Sequence, residues 1–310
     1  MTTTIAGAAE PTAPAAPFRA LAARVWADRA ARVGLAIVAL FVLLAVFAPL
    51  ISMLTGNGPN EFNEDLIDKS LGGPPIGVLG GISADHWLGV EPVNGRDVLA
   101  RVTYGARVSL VISLLATGVS VVIGTVLGMA AGYFGGWVDA AISRTMDLVL
   151  SFPQLIFMIA LVSVLPGGDR TLLLVLVISF FGWPYVGRIV RGQTLSLRRR
   201  EFVEAARAGG QHRMRILVRE ILPNLLAPIL VYAALSIPVN IGTEAALSFL
   251  GIGVQPPTPS WGQMLQKAMA WYQIDPMFFL IPGTCLFLTV LAFTLLGDAL
   301  RDAVDPKEGA

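Results

Sequence analysis

Two carboxylates, Glu244 and Asp147, sit in stretches otherwise apolar enough to be buried in lipid. A charged group in hydrocarbon is expensive, so it lies either on a water-lined functional path or hydrogen-bonded against a neighbouring helix. Both readings stay open for Glu244, while Asp147 favours the structural one because Arg144 is near enough to pair with it. A second concentration of polar chemistry lies between two apolar runs. Residues 188–224 hold nine arginines, and their centre reads Glu204-Ala205-Ala206, three more residues, Gly210, then Ile221-Leu222-Pro223. A connection of that length inside a compact protein is usually functional. Arg, Glu and Ala favour a short helix over 198–207. Ala205 and Ala206 would give that helix a low surface that a partner can approach, and Gly209 and Gly210 can end it through a left-handed turn. A second helical segment over 214–222 is expected to stop at Pro223. Two such helices held parallel to a membrane would form a docking knob. The alternative is a basic loop that fixes topology and touches anionic lipid.

Other chemistries find no footing. The chain has three lysines, Lys69, Lys267 and Lys307, and none follows a glycine as a phosphate-cradling loop requires. No Gly-x-Ser-x-Gly elbow and no His-Glu-x-x-His pair occurs. His86 and His212 are far apart and lack a second ligand at metal spacing. The lone Cys285 lies in an apolar run and reads as a packing residue. A net charge of +1 offers no global field for nucleic acid. The energy for any work must come from outside this chain.

The elements that position these residues are apolar spans. Hydrophobic residues make up 55% of the 310, charged residues 14%, and the mean hydropathy is +0.70. Soluble domains carry about a quarter charged residues, so the solvent for much of this chain is lipid. The pattern predicts an all-α integral membrane protein with six transmembrane helices. The first covers 33–54, too long for the apolar core of a signal peptide. The others fall near 106–131, 146–165, 171–186, 225–250 and 278–296. Pro184, Pro228 and Pro238 should kink or shorten the fourth and fifth, and Pro153 should bend the third.

Residues 1–32 form an N-terminal arm whose first 17 residues, rich in Thr, Ala and Pro, are expected to be disordered. Residues 55–103 are a polar segment with turns at Gly72, Gly73, Pro74 and Pro75, and 104–300 form a five-helix core enclosing the 188–224 loop. Residues 301–310 are a tail. With both termini cytoplasmic, the inner segments hold about 16 of the 22 basic residues, which is the orientation the positive-inside rule selects.

The motif in the 188–224 loop resembles the cytoplasmic loop of permease subunits of ATP-binding-cassette importers. In that family the loop forms a coupling helix that sits in a cleft of the ATPase subunit. The resemblance places this role on Glu204, Ala205, Ala206 and Gly210, with Ile221, Leu222 and Pro223 closing the motif. Three more segments narrow it to the C-type partner of the dipeptide, oligopeptide and nickel permease group. They are Gly95-Arg96-Asp97 through Tyr104-Gly105-Ala106-Arg107, then Met146-Asp147 with Ser151-Phe152-Pro153, and finally Glu244 through Trp261-Gly262. The Ala/Pro-rich arm, the Gly- and Pro-rich 56–83 stretch and the extended 91–94 stretch depart from the pattern.

The resemblance implies a subunit of an importer in the bacterial inner membrane. Its partners would be a homologous B-type permease, two ABC ATPases, an extracytoplasmic substrate-binding protein and lipid. ATP and magnesium would be used by the ATPases, with no cofactor bound by this chain. Glu244, Asp147, Gln255, Pro256 and Trp261 would line or gate the path for short peptides. An autonomous secondary transporter is the alternative, but it predicts inverted repeats and midplane charge pairs. Neither stands out in this sequence.

Overall fold

The computed structural model describes residues 18–165 and 168–304. The expectations for residues 1–17, for the turn at Pro166-Gly167 and for 305–310 therefore lie outside the described residues. Three helices open the chain: α1 (Phe18–Ala27), α2 (Arg29–Val46) and α3 (Ala48–Thr55). Asp28 caps α2, its carboxylate accepting from Ala30 N at 2.6 Å and Ala31 N at 3.3 Å. The expected 33–54 span is thus interrupted at Phe47, just ahead of Pro49.

The core helices are α4 (Val98–Phe134), α5 (Gly136–Ser151), α6 (Gln154–Val164) and α7 (Arg170–Leu197). Beyond them come α8 (Glu201–Ala208), α9 (Arg213–Ile216), α10 (Leu222–Phe249), α11 (Trp261–Ala268) and α12 (Pro276–Val304). Among the described residues, five helical stretches are long and apolar enough to cross a membrane, and a sixth span exists if the bent α5–α6 pair counts as one. The expected single helix over 146–165 is therefore two helices at 89°. Pro153 stands at the break and forces Phe152 into an extended conformation.

Two further expectations are corrected. The fourth span does not end at residue 186 but continues to Leu197, so the first ten residues of the arginine-rich stretch are helix. The segment expected to stop at Pro223 runs on into α10, through α9 and a wide π turn at Leu217–Ile221. That turn contains Arg219, whose carbonyl the Pro223 ring would otherwise strike. Pro184, Pro228 and Pro238 are likewise carried inside continuous helices.

The tightest packing joins α4 to α7. Gly124, Gly128 and Gly132 form a stripe of period four on α4, and a Cβ added at Gly128 would stand 2.6 Å from the Gly187 carbonyl. Small residues at that spacing let two membrane helices approach backbone to backbone. Around this pair lie an apolar cluster of α4, α6 and α7 and a second of α2, α4, α11 and α12. The 55–97 segment has no ladder among its described residues, only isolated bridges at Ile67–Pro75 and Val90–Asp97.

Candidate functional site

The arginine-rich end of the bundle carries the motif residues. Helix α8 stops in paired hydrogen bonds, Gly210 N to Arg207 O at 3.0 Å and Gln211 N to Ala206 O at 3.1 Å. This is the glycine-terminated helix end that needs a left-handed residue, and Gly210 supplies it at φ 74° while Gly209 does not. Glu204 and Ala205 face outward, as does Phe202, which the sequence reading passed over. Ala206 does not join them. It turns inward with Val203 onto a cluster that holds Met129 and Tyr133 of α4, Val190 of α7, and Ile216, Leu217 and Ile221. The paired-alanine surface expected from the sequence is therefore a single alanine, Ala205. Ile221 is fully buried in that cluster, Leu222 packs beside it, and Pro223 is exposed. A rigid apolar seat thus ties α8 to the ends of three long helices.

Ion pairs brace this end. Arg191 grips Asp139 through two bonds of 2.5 and 2.8 Å, and Arg198 donates to the Gly132 carbonyl at 2.9 Å. Asp147 pairs with Arg188 at 2.7 Å rather than with Arg144. Residues 188 and 147 meet because α7 extends past its expected end alongside α5.

At the opposite end, Glu244 is fully buried. Its Oε1 accepts from Ser248 Oγ at 2.7 Å, and Oε2 has no hydrogen-bond partner. Trp261 is also fully buried, donating from Nε1 to the Val102 carbonyl at 3.1 Å and standing edge-on to Phe41 at 5.4 Å. It fixes α11 to α2 and α4. Gln255 and Pro256 lie at the surface, with Gln255 Nε2 donating to the Gly251 carbonyl at 2.8 Å.

A groove lies between α6, α7 and α10. It comprises two cavities of ≈ 320 Å³ and ≈ 340 Å³ that share Gln154 and Val239. Tyr185, Tyr232, Ser236 and Asn240 add uncharged polar groups, and Asn240 is held by a 2.8 Å bond to Thr117 Oγ1. Glu244, Gln255, Pro256, Trp261 and Asp147 are not among its lining residues.

Sequence reasoning also missed a buried ionic cluster at this end. Glu91, 1% exposed, accepts from Arg96 Nε at 2.9 Å and pairs with Arg101 Nε, with Lys267 Nζ 3.9 Å away. Arg101 also donates to the Pro59 carbonyl at 3.0 Å and Gln263 Oε1 at 3.1 Å. His86 Nδ1 and Asp97 Oδ2 are 2.8 Å apart alongside, and Asp97 caps α4 at the Ala100 amide. Burial pulls the Lys267 ammonium down to about 8 against the attraction of Glu91. The signal was present as Glu91, Arg96, Asp97 and Arg101 in eleven residues, but a charged run before a span normally reads as solvated.

Residues 124–309 match the family described as binding-protein-dependent transport system inner membrane component. Residues 17–70 match the N-terminal transmembrane domain of oligopeptide transport permease C. The dipeptide transport system permease protein DppC of Alkalihalophilus pseudofirmus is 41% identical over 292 residues, 94% of this chain and 90% of that one. The glutathione transport system permease protein GsiD of Pectobacterium atrosepticum is 39% identical over 86% of this chain and 85% of its own length. Among solved structures, an inward-facing conformation of the MetNI methionine ABC transporter aligns with a TM-score of 0.51 at 20% identity. That alignment covers 65% of this chain and 94% of the other. Identity that low speaks for the fold alone.

Proposed function

The chain belongs to the family of binding-protein-dependent transport inner membrane components, and from that membership we propose that it forms half of an ATP-driven import path for short peptides. It is a multi-pass permease of the bacterial inner membrane. In this reading α8 is the coupling helix, both termini are cytoplasmic, and the 55–97 segment faces the binding protein. A homologous B-type permease supplies the other half of the path, and two ABC ATPases supply the energy from ATP and magnesium.

One observation carries the reading. A short helix with an exposed Glu204–Ala205 face stands on an apolar seat shared by α4, α7 and the α9–α10 continuation. A pull on that face would reach all three long helices without first deforming a soft loop. Glu204 and Ala205 make the ATPase contact, while Ala206, Ile221, Leu222 and Pro223 hold the helix at its angle and Gly210 closes it. The peptide would pass along the groove of Gln154, Tyr185, Tyr232, Ser236 and Asn240, whose neutral donors and acceptors suit an amide backbone of varied sequence. Gln255 and Pro256 would stand at its outer mouth, with Glu244 and Trp261 behind it and Asp147 bracing the inner end. The peptide cargo is supported by the names of the dipeptide and glutathione relatives.

Affinity purification of the chain from mild-detergent membranes tests the assembly. Recovery of a second permease and of ATPases that cross-link to residues 200–212 is the expected result, and a chain that purifies alone removes the coupling role. Gly210→Leu tests the helix end. A Cβ there meets nothing within 4 Å, so the cost is the left-handed backbone, about 1–2 kcal/mol. Membrane insertion should survive and peptide uptake should be lost. Normal uptake by this variant would separate Gly210 from coupling. Glu244→Gln with unchanged uptake and unchanged pH dependence would take that carboxylate out of the path.

A further inference from the structure

Beside the coupling face, α4, α8 and α9 enclose a cleft of ≈ 470 Å³ that the transport reading leaves unused. That volume is within the range of about 300–1,000 Å³ typical of small-ligand sites. Arg207 and Arg213 line it together with Gln211, over a floor of Tyr133 and Ile216 and a rim at Phe134. No carboxylate is among its lining residues, and neither guanidinium is paired with one among the described residues. Arg207 instead stacks over the Tyr133 ring at 5.1 Å, which holds the cation at the cleft wall. Gln211 adds a buried amide oxygen with no hydrogen-bond partner.

The depth of the cleft identifies the ligand class. Tyr133 of its floor and Phe134 of its rim are the last residues of α4, where an apolar span gives way to Gly135 and Gly136. Phe134 is 41% exposed and Trp137 is 81% exposed at this level, the placement of aromatic residues at a membrane–water boundary. Two unpaired guanidiniums at headgroup depth, walled by an aromatic ring, fit a phosphate diester carrying acyl chains.

We propose that this cleft binds the phosphate of an anionic phospholipid headgroup, fastening the C-terminal end of α8 to the bilayer surface. The inference rests on the cytoplasmic placement of this end given above. Bound there, the lipid would hold the C-terminal end of the coupling helix from a position beside its ATPase-facing surface.

The test is native mass spectrometry of the full chain, in its membrane complex, after exchange into nanodiscs of phosphatidylcholine and phosphatidylglycerol. Wild-type protein should retain phosphatidylglycerol selectively. Arg207→Gln with Arg213→Gln should lower that retention roughly tenfold or more, the order expected for two basic groups at a lipid surface. Arg215→Gln with Arg219→Gln removes the same charge from outside the cleft and should leave retention unchanged. Equal loss in both double variants would mean a general field and would overturn the site. Displacement of phosphatidylglycerol by inorganic phosphate at equal concentration would assign the cleft to a free anion instead. An ATPase cross-link formed from position 213, inside the cleft and outside the 200–212 coupling segment, would give the cleft to a protein side chain and end the lipid proposal. Lipid retention is read on this chain itself. A chain that keeps phosphatidylglycerol but recovers no ATPase therefore fails the transport reading and not this one.

Discussion

Both ends of the bundle gather arginines, and they use them in opposite ways. At the end built from residues 55–103 and α11, Arg96 and Arg101 are 3% and 0% exposed and converge with Lys267 on Glu91. At the other end, Arg207, Arg213 and Arg215 point outward with no carboxylate partner among the described residues. Buried guanidiniums tie segments that have no ladder to hold them, whereas the exposed ones leave their charge open to solvent. The contrast predicts that charge removal costs stability at one end and activity at the other.

Glu91→Ala is the strongest way to break that comparison. It strips the counter-charge from Arg96 and Arg101 while both remain buried, and removing one member of such a pair costs about 3–5 kcal/mol. The detergent-solubilised protein should show a clearly lower Tm than wild type. Glu204→Ala on α8 should leave Tm nearly unchanged, within about 0.5 kcal/mol of stability, while uptake falls. Equal Tm losses in the two variants would erase the distinction between the ends.

The two alanines of the motif sharpen the comparison within one helix. Ala206→Leu forces a branched side chain against Met129, Tyr133 and Ile216, and overpacking of that kind costs about 1–3 kcal/mol. Ala205→Leu adds the same bulk to an exposed face and should leave stability unaltered while weakening ATPase recovery in pull-downs. If both variants unfold alike, the inward and outward assignments are wrong.

How much of this could be read in the chain depended on whether a feature was local. Apolar runs marked every long helix, because lipid imposes that composition over some twenty residues. Pro153 marked the place of the α5–α6 break, but a proline alone does not give the 89° angle seen there. Helix ends were misjudged at Leu197 and Pro223, where arginines and a proline read as stops. α7 continues beyond the apolar zone where α5 offers Asp139 and Asp147 to Arg191 and Arg188, and the π turn at Leu217–Ile221 carries the other helix past Pro223. The motif carried α8 and Gly210 correctly, yet it could not say that Ala206 faces inward, because only the neighbouring helices decide that. The Glu91 cluster was illegible for the same reason. Its cations come from positions 96, 101 and 267, and nothing local joins the last to the others.

Lys267 offers the finest test, because it is the one member of the cluster with part of its side chain in solvent, 29%. Burial lowers its ammonium from 10.5 to about 8, against the pull of Glu91 and with repulsion from Arg96 and Arg101 adding to the shift. Between pH 8 and 10.5 the unfolded chain therefore holds a proton on this lysine that the folded chain has released. Stability should rise with pH across that window, and the gain is absent below it. Screening at the partly exposed ammonium holds the gain to about 1 kcal/mol. Tm measured at pH 7, 8.5 and 10 for wild type and Lys267→Met reads it as the difference between two slopes, with all other titrating groups common to both. The wild-type curve should climb relative to the variant. Parallel curves would mean that folding does not change the proton affinity of Lys267, so that burial and repulsion from the arginines do not outweigh the attraction of Glu91.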